Sequence, residues 1–493
     1  MRPSRRTILR ASGAVAAAGI GAGRMLSAAA APVRTRVLAQ AGGAAPTVPS
    51  ARTIKRWIST IVDQGIRRPA YPADKWIERW GRARFEELGL DDVHFEPVEV
   101  ERWDPGTAVL TIGDRRFRGL QLPYTESGTV EGELVVMPST AEPGTVDGRI
   151  GVVELNPITL PQDYARDNLA TAFVDPDDDL QTLQQTLPFD TKFNEVMDPA
   201  LEGGAIGFVG LLTGFPWVTH DYYVPYDGKH REAPGIWLDS RDGQAVLDLV
   251  AGGTTAARLE VGGKRTPANS RNVVGMLPGA SDEWVIVASH HDGPWASAVE
   301  DASGTSLVLA QAAYWAEVPR DQRPHNMMFV LMAGHMFGGA GTSAFVAEHG
   351  VLLDQVVLEV HLEHAARQAV AEDGELVPTD DPEVRWWFTS ENPSLVTKVQ
   401  DALTAERLGR SLILKPDVFF AAPPTDGAAF HVAGVPIVQF LTAPMYLFDS
   451  GDTIDKIHDA SLEPVSRAVV QIIESTAGVT AAQMRAGVVP SGD

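Results

Sequence analysis

From residue 272 onward the chain repeats one pattern, an apolar run of strand length followed by a stretch with helical spacing. The apolar runs are "NVVGML", "WVIVAS", "NMMFVLMA", "QVVLEVHL" and "VPIVQFL". The helical stretches are "ASGTSLVLAQAAYWAEV", "GTSAFVAEHG", "NPSLVTKVQDALTAERLG" and "EPVSRAVVQIIESTA". Strands that are apolar throughout are buried on both faces, and strand–helix alternation builds a sheet covered by helices on both sides. The predicted fold class is therefore α/β, a mixed, mainly parallel sheet sandwiched by helices. In such sheets ligands sit beyond the carboxyl ends of the strands, so the polar residues found there constrain function most.

Those ends carry imidazoles and carboxylates. "WVIVAS" runs into His290-His291-Asp292, and the loop "GPWASAVE" leads to Asp301 at a helix start. "NMMFVLMA" runs into Gly334-His335, and "QVVLEVHL" into Glu363-His364. Nitrogen and carboxylate donors converging from three strand ends form the ligand set of a divalent metal. Taken singly, each residue has a plainer reading. Asp301 fits a helix N-cap, His335 or His361 a satisfied core histidine, and Glu363 a partner for Arg367. Recurrence at three successive ends favours the metal.

The rest of the chain frames this region. Residues 1–41 read as a twin-arginine signal peptide and small-residue linker, with Arg5 and Arg6 as the pair, seven arginines and no acidic residue. The expectation is export to the periplasm or beyond. Arg24 breaks the apolar stretch after thirteen residues, short of the roughly 20 that span a bilayer, so no stable membrane anchor is expected. Residues 50–104 carry two helices and a strand. Residues 105–265 turn to short β-like runs and read as a mostly β insert, 266–480 form the main α/β unit, and 481–493 are a tail. The acidic loop "DPDDDLQ" reads as a solvated turn. With 64 acidic and 41 basic residues, a formal charge of −23 argues against nucleic acid as a partner. The absence of cysteine excludes disulfides, thiolate metal sites and a cysteine nucleophile. No Gly-x-Ser-x-Gly elbow occurs, and Ser303 and Ser343 sit at helix starts.

In the order of its motifs, "NVVGMLPGASDEWVIVASHHDG", the "DASG" helix and "DGAAFHVAGVPIVQF", the chain resembles the zinc exopeptidases of the bacterial leucyl aminopeptidase and glutamate carboxypeptidase type that carry an inserted protease-associated domain. The resemblance covers about residues 50–480. It implies His290 as a metal ligand with Asp292 orienting it, Asp301 as the carboxylate that bridges two zinc ions in the family, Glu363 as a further ligand, and Asp426 at a recurrent acidic position. It also implies a peptide or small amide substrate and leaves a homodimer open.

Two positions depart from the family's pattern. Where the family has a Glu-Glu pair, the general base and a ligand, this chain has Gly334-His335. Where the family's last histidine ligand stands, this chain has Phe448. The resemblance thus implies one divalent metal, zinc in the family, held by His290, Asp301 and Glu363 with His335 as a fourth ligand or substitute base. His364 and Glu300 are the other candidates for the base. Two functions follow: an exported metal-dependent hydrolase of peptide or related amide bonds with an altered, single-metal mechanism, or a non-catalytic relative serving as a binding module. The aromatic loop "GFPWVTHDYYVPYDG" at 214–228 and Trp295 are each either cover for the cleft or plain packing.

Overall fold

The computed structural model describes residues 45–137, 146–188 and 192–487; the export signal expected in 1–41 lies outside them. The chain opens with helices α1 (Ala51–Val62) and α2 (Pro72–Glu87). Ser50 caps α1 by accepting from the Thr53 N–H, and Ile54, Ile58 and Ile61, at helical spacing, bury its inner face.

Two long antiparallel strands, β1 (Asp91–Ile112) and β8 (Ala256–Leu277), run side by side through most of the molecule. Beyond the register shift at Pro105/Ala108, the end of β1 pairs with β2 (Arg115–Gln121), and the start of β8 pairs with β3 (Gly128–Val136). There β3, β4 (Ile150–Glu154), β6 (Gly207–Leu211) and β7 (Gly235–Leu238) lie parallel in one sheet, covered by helix α3 (Ser240–Ala251). This part has its own core, with Leu110, Ile150, Val209 and Leu259 at its centre. The stretch read as an insert is not wholly in it, because β5 (Ala170–Val174) pairs antiparallel with a strand on the far edge of the main sheet.

The other half of β8 leads into the main sheet. Its strands are β9 (Trp284–His290), β10 (Asn326–Met332), β11 (Val356–Leu362), β12 (Arg385–Thr389), β13 (Ser411–Leu414) and β14 (Ile437–Thr442). In space the order is β8-β10-β9-β11-β14-β12-β13-β5. The central pairs β10–β9, β9–β11 and β11–β14 are parallel, whereas β8–β10, β14–β12 and β13–β5 are antiparallel. The mixed, mainly parallel sheet expected from the apolar runs is thus present, and every residue of β11 is buried. Helix α4 (Gly304–Glu317) follows the β9 loop, and α5 (Asp459–Glu474) packs beside it. Among the described residues no helix is long and apolar enough to cross a membrane.

One core carboxyl gives a pH-dependent stability. Glu383, 6% exposed, accepts from the Val384 N–H, and burial pushes it from the ordinary 4.5 up to about 7. A carboxyl raised in the fold stabilises it below the ordinary value, and that stability is lost as pH rises through about 7. Glu383→Gln should therefore stabilise the protein at pH 8 by up to about 3 kcal/mol and change little at pH 4. Denaturant midpoints at the two pH values test this, and equal shifts at both would refute it.

Candidate metal centre

The polar residues at the carboxyl ends of the parallel strands come together. His290 ends β9, and the loop after it, 291–303, brings Glu300 back beneath the imidazole. His290 Nε2 lies 3.4 Å from Glu300 Oε1. His335, just past β10, stacks on His290 with ring centroids 4.2 Å apart and places its Nε2 3.8 Å from the same Glu300 oxygen. Donors about 2.0–2.1 Å from one zinc ion stand roughly 3.3–3.5 Å from each other in a tetrahedral arrangement. Among the described residues, His290, Glu300 and His335 form the group whose ligand atoms lie within 4.8 Å of one another. His290 Nε2 and Glu300 Oε1 are buried without hydrogen-bond partners, whereas Glu300 Oε2 faces His364 Nε2 at 2.5 Å. Buried polar atoms are ordinarily paired, so these two unpaired ligand atoms, with His335 Nε2 beside them, fit a divalent ion.

Outer contacts aim the two histidines. His290 Nδ1 donates to the Asp292 carbonyl (3.0 Å) and lies 3.6 Å from its carboxylate. Asp292 in turn accepts from the His335 and Met336 backbone N–H groups at 3.1 and 2.8 Å, fixing the turn after β10. His335 Nδ1 donates to Asp426 Oδ1 (3.0 Å), and Asp426 Oδ2 accepts from Thr342 Oγ1. A carboxylate on one imidazole nitrogen leaves the other nitrogen's lone pair for a metal. Gly334 makes this turn possible. Its φ is +70°, and a Cβ there would lie 3.2 Å from Val100 Cγ1, so a side chain at this position is both strained and crowded.

Asp301, expected as a ligand, has both oxygens engaged by the chain itself. Its Oδ2 accepts the Ser289 hydroxyl, and its Oδ1 accepts the N–H groups of Gly304 (2.9 Å) and His364 (3.3 Å). Its oxygens serve the start of α4, although Oδ2 stays 3.9 Å from His290 Nε2, and Glu300, one residue earlier, takes the central place. Glu363, also expected as a ligand, stands beside the cluster. It lines the same cavity as Glu300 and His364, but its Oε1 accepts from the Asp426 N–H at 2.8 Å and lies 3.3 Å from His361 Nε2. His364 approaches the opposite side of Glu300, with Nε2 2.5 Å from Oε2. His361 is buried between Glu359 (3.0 Å) and Glu363 and acts through them.

The electrostatics draw positive charge inward. Burial alone would raise the Asp292 carboxyl, but the His290 hydrogen bond and neighbouring imidazoles hold it down at about 2. Burial likewise opposes ionisation of Glu300, and His364 and His290 outweigh it and lower its pKa. Burial disfavours charging His364, yet Glu300, Glu363 and Asp301 push it up to about 9. Carboxylates that hold protons on buried imidazoles also attract a metal cation, which competes with those protons.

Two supports lay hidden in the sequence. The fully buried Arg67 guanidinium donates to the carbonyls of His291, Ala296, Ser297 and Glu300 and so ties the 291–300 loop to the segment after α1. Asp452 accepts from the Val299 and Glu300 N–H groups. Neither Arg67 nor Asp452 has a sequence signal beyond its charge. Phe448 packs on Tyr226 (4.9 Å), and Tyr226 lies 5.3 Å from the His335 ring, so the 214–228 loop reaches the site. Trp295 packs under Arg68 and donates to the Phe448 carbonyl. In the acidic loop, Asp175 accepts from the Leu180 N–H and Asp179 pairs with Arg410.

Residues 272–473 match the family model described as peptidase family M28. No curated protein matches the sequence. The fold is similar to that of BSAP, a zinc aminopeptidase from Bacillus subtilis, with a TM-score of 0.64 and 16% identity over 87% of this chain and 96% of that one. An aminopeptidase from Aneurinibacillus sp. strain AM-1 gives 0.60 and 18% over 87% and 94%. A peptidase M28 precursor from Shewanella amazonensis SB2B gives 0.63 and 19% over 87% and 96%. At these identities the likeness speaks for the fold.

Proposed function

With residues 272–473 identified as a peptidase family M28 domain, we propose that this chain is an exported metal-dependent hydrolase of peptide or related amide bonds that uses one divalent ion, zinc by preference. The observation that carries the reading is the convergence of His290, Glu300 and His335, with unpaired donors at ligand spacing. When bound, the ion supplies Lewis acidity to the carbonyl and to a water. The chain's own residues do the rest. Asp292 and Asp426 hold the two histidines in orientation. His364, against Glu300 Oε2, holds a proton at Nε2 within reach of a leaving amine. No side chain exists at Gly334, where the family resemblance expects the base, so the mechanism departs from the family's at proton removal. The arginine-rich start of the chain supports export through the twin-arginine pathway to the periplasm or beyond.

Elemental analysis of the purified chain should find one divalent ion per protein, and a panel of aminoacyl and acyl amides should be hydrolysed only with that ion present. A chain that binds no stoichiometric metal would refute the reading. Gly334 and Phe448 favour a second reading, a binding module on the same fold, which a stoichiometric ion without any turnover would select.

A further inference from the structure

Two cavities of very different size meet at the candidate centre, and both are bounded by Tyr226, His335 and Pro424. The larger holds about 420 Å³, and its walls include Val224, Pro225, Ala428 and Ala429. The smaller holds about 30 Å³ and contains Glu300, Glu363 and His364, closed by Trp386, Leu441, Leu447 and Phe448. About 10–15 Å³ on this measure accommodates one water, so the small side has room for two waters or a methyl group. Its walls do not give way easily. Trp386, Leu441, Leu447 and Phe448 are each at most 4% exposed, and Trp386 stacks on Phe419 at 5.0 Å. A leucyl or phenyl group there would displace close-packed core.

We propose that the substrate is lopsided: an amide whose carbonyl bears a small group on one side of the scissile bond and a bulky, neutral, apolar group on the other, seated in the large cavity. This rests on the hydrolase reading above and narrows it. The small group lies toward Glu300 and His364, and the bulky group passes His335 to lie against Val224 and Ala428. The carboxylates on the large side are already engaged, Asp227 by Arg231 at 2.7 Å and Asp426 by His335 and Thr342. With a formal charge of −23 the chain also repels anionic substrates. The reaction adds water across the C–N bond, with OH going to the carbonyl carbon and H to the amine. Phe448 sets the selectivity, because its ring fills the side that would otherwise take a large residue.

Three neutral amides test this with the metal-loaded full chain: N-(2-naphthyl)acetamide, small on the acyl side; 3-phenylpropanamide, small on the amine side; and N-(2-naphthyl)-3-phenylpropanamide, bulky on both. At least one lopsided amide should exceed the doubly bulky one by about tenfold or more in kcat/KM. Phe448→Ala should raise the doubly bulky amide by about tenfold, with Leu447→Ala serving if the first variant does not fold. Ala428→Trp should lower the lopsided substrate and weaken binding of 2-naphthylamine, followed by its fluorescence. A doubly bulky amide hydrolysed as fast as the others, with its ranking unmoved by these variants, overturns the inference and leaves the hydrolase reading standing. No metal-dependent turnover of any of the three overturns both.

Discussion

His290→Ala should strip the bound divalent ion from the protein and lower amide hydrolysis by at least about 10³-fold, since metal polarisation is worth several kcal/mol and each 1.36 kcal/mol is tenfold. The size of the effect follows from the geometry. His290 Nε2 is one of three donors that converge, and its removal leaves His335 and Glu300, 3.8 Å apart, as a two-donor remnant. The ring is fully buried, so alanine also leaves a cavity beside the Glu300 carboxylate, whose Oε1 has no hydrogen-bond partner. The variant should therefore lose about 3 kcal/mol of stability, since the Glu300 carboxylate loses one of its two imidazole neighbours in a buried site. Metal content by elemental analysis and hydrolysis of an amide panel read the first effect, and urea unfolding reads the second. A variant that retains one ion per chain would show that the ion is held elsewhere.

Arg67→Ala is the second large effect, at a residue that touches no ligand atom. The guanidinium is 0% exposed and its donors serve four carbonyls of the 291–300 segment. Alanine removes these bonds and leaves several buried acceptors unpaired, each costing about 1–3 kcal/mol. A total loss near 4 kcal/mol is expected after partial rehydration. Glu300 depends on that loop for its position, so metal affinity should fall by about 10–100-fold, the usual consequence of losing a group that orients a ligand. Competition with a chelator measures the affinity. If Arg67→Ala destabilises the protein but leaves metal affinity unchanged, the Asp452 contacts to Val299 and Glu300 suffice to hold the ligand.

The main sheet was legible because its strands are apolar along their whole length, a pattern set by burial on both faces. His290 and His335 could be placed at strand ends for the same reason, since period and length fix where a strand stops. The choice between Glu300 and Asp301 was not legible, for a physical reason. Glu300 and Asp301 are adjacent carboxylates in a loop, and no periodicity tells which of two neighbours points to the cluster. Asp301 is drawn to the start of α4 by the Ser289 hydroxyl and two backbone N–H groups, and only the folded loop reveals this. The pairing of His335 with Asp426 spans ninety residues, and that of Arg67 with the β9 loop spans more than two hundred, so neither leaves a local pattern. The sheet shared between β1 and β8 was hidden differently. Each was read as separate short runs because the turn-like residues Pro105 and Gly263 fall inside continuous strands, where a register shift absorbs them.

That continuity has an evolutionary side. The two long strands lend their far ends to a second sheet, while His290 and His335 stand at strand ends of the first. The wall of the large cavity at Val224–Asp227 comes from the chain between strands β6 and β7 of the second sheet, and the wall of the small one from the segment around β14. Substitutions in those stretches can change what is admitted without moving a ligand. The stretches that bound the cavities and the strand ends that carry His290 and His335 are thus free to vary separately.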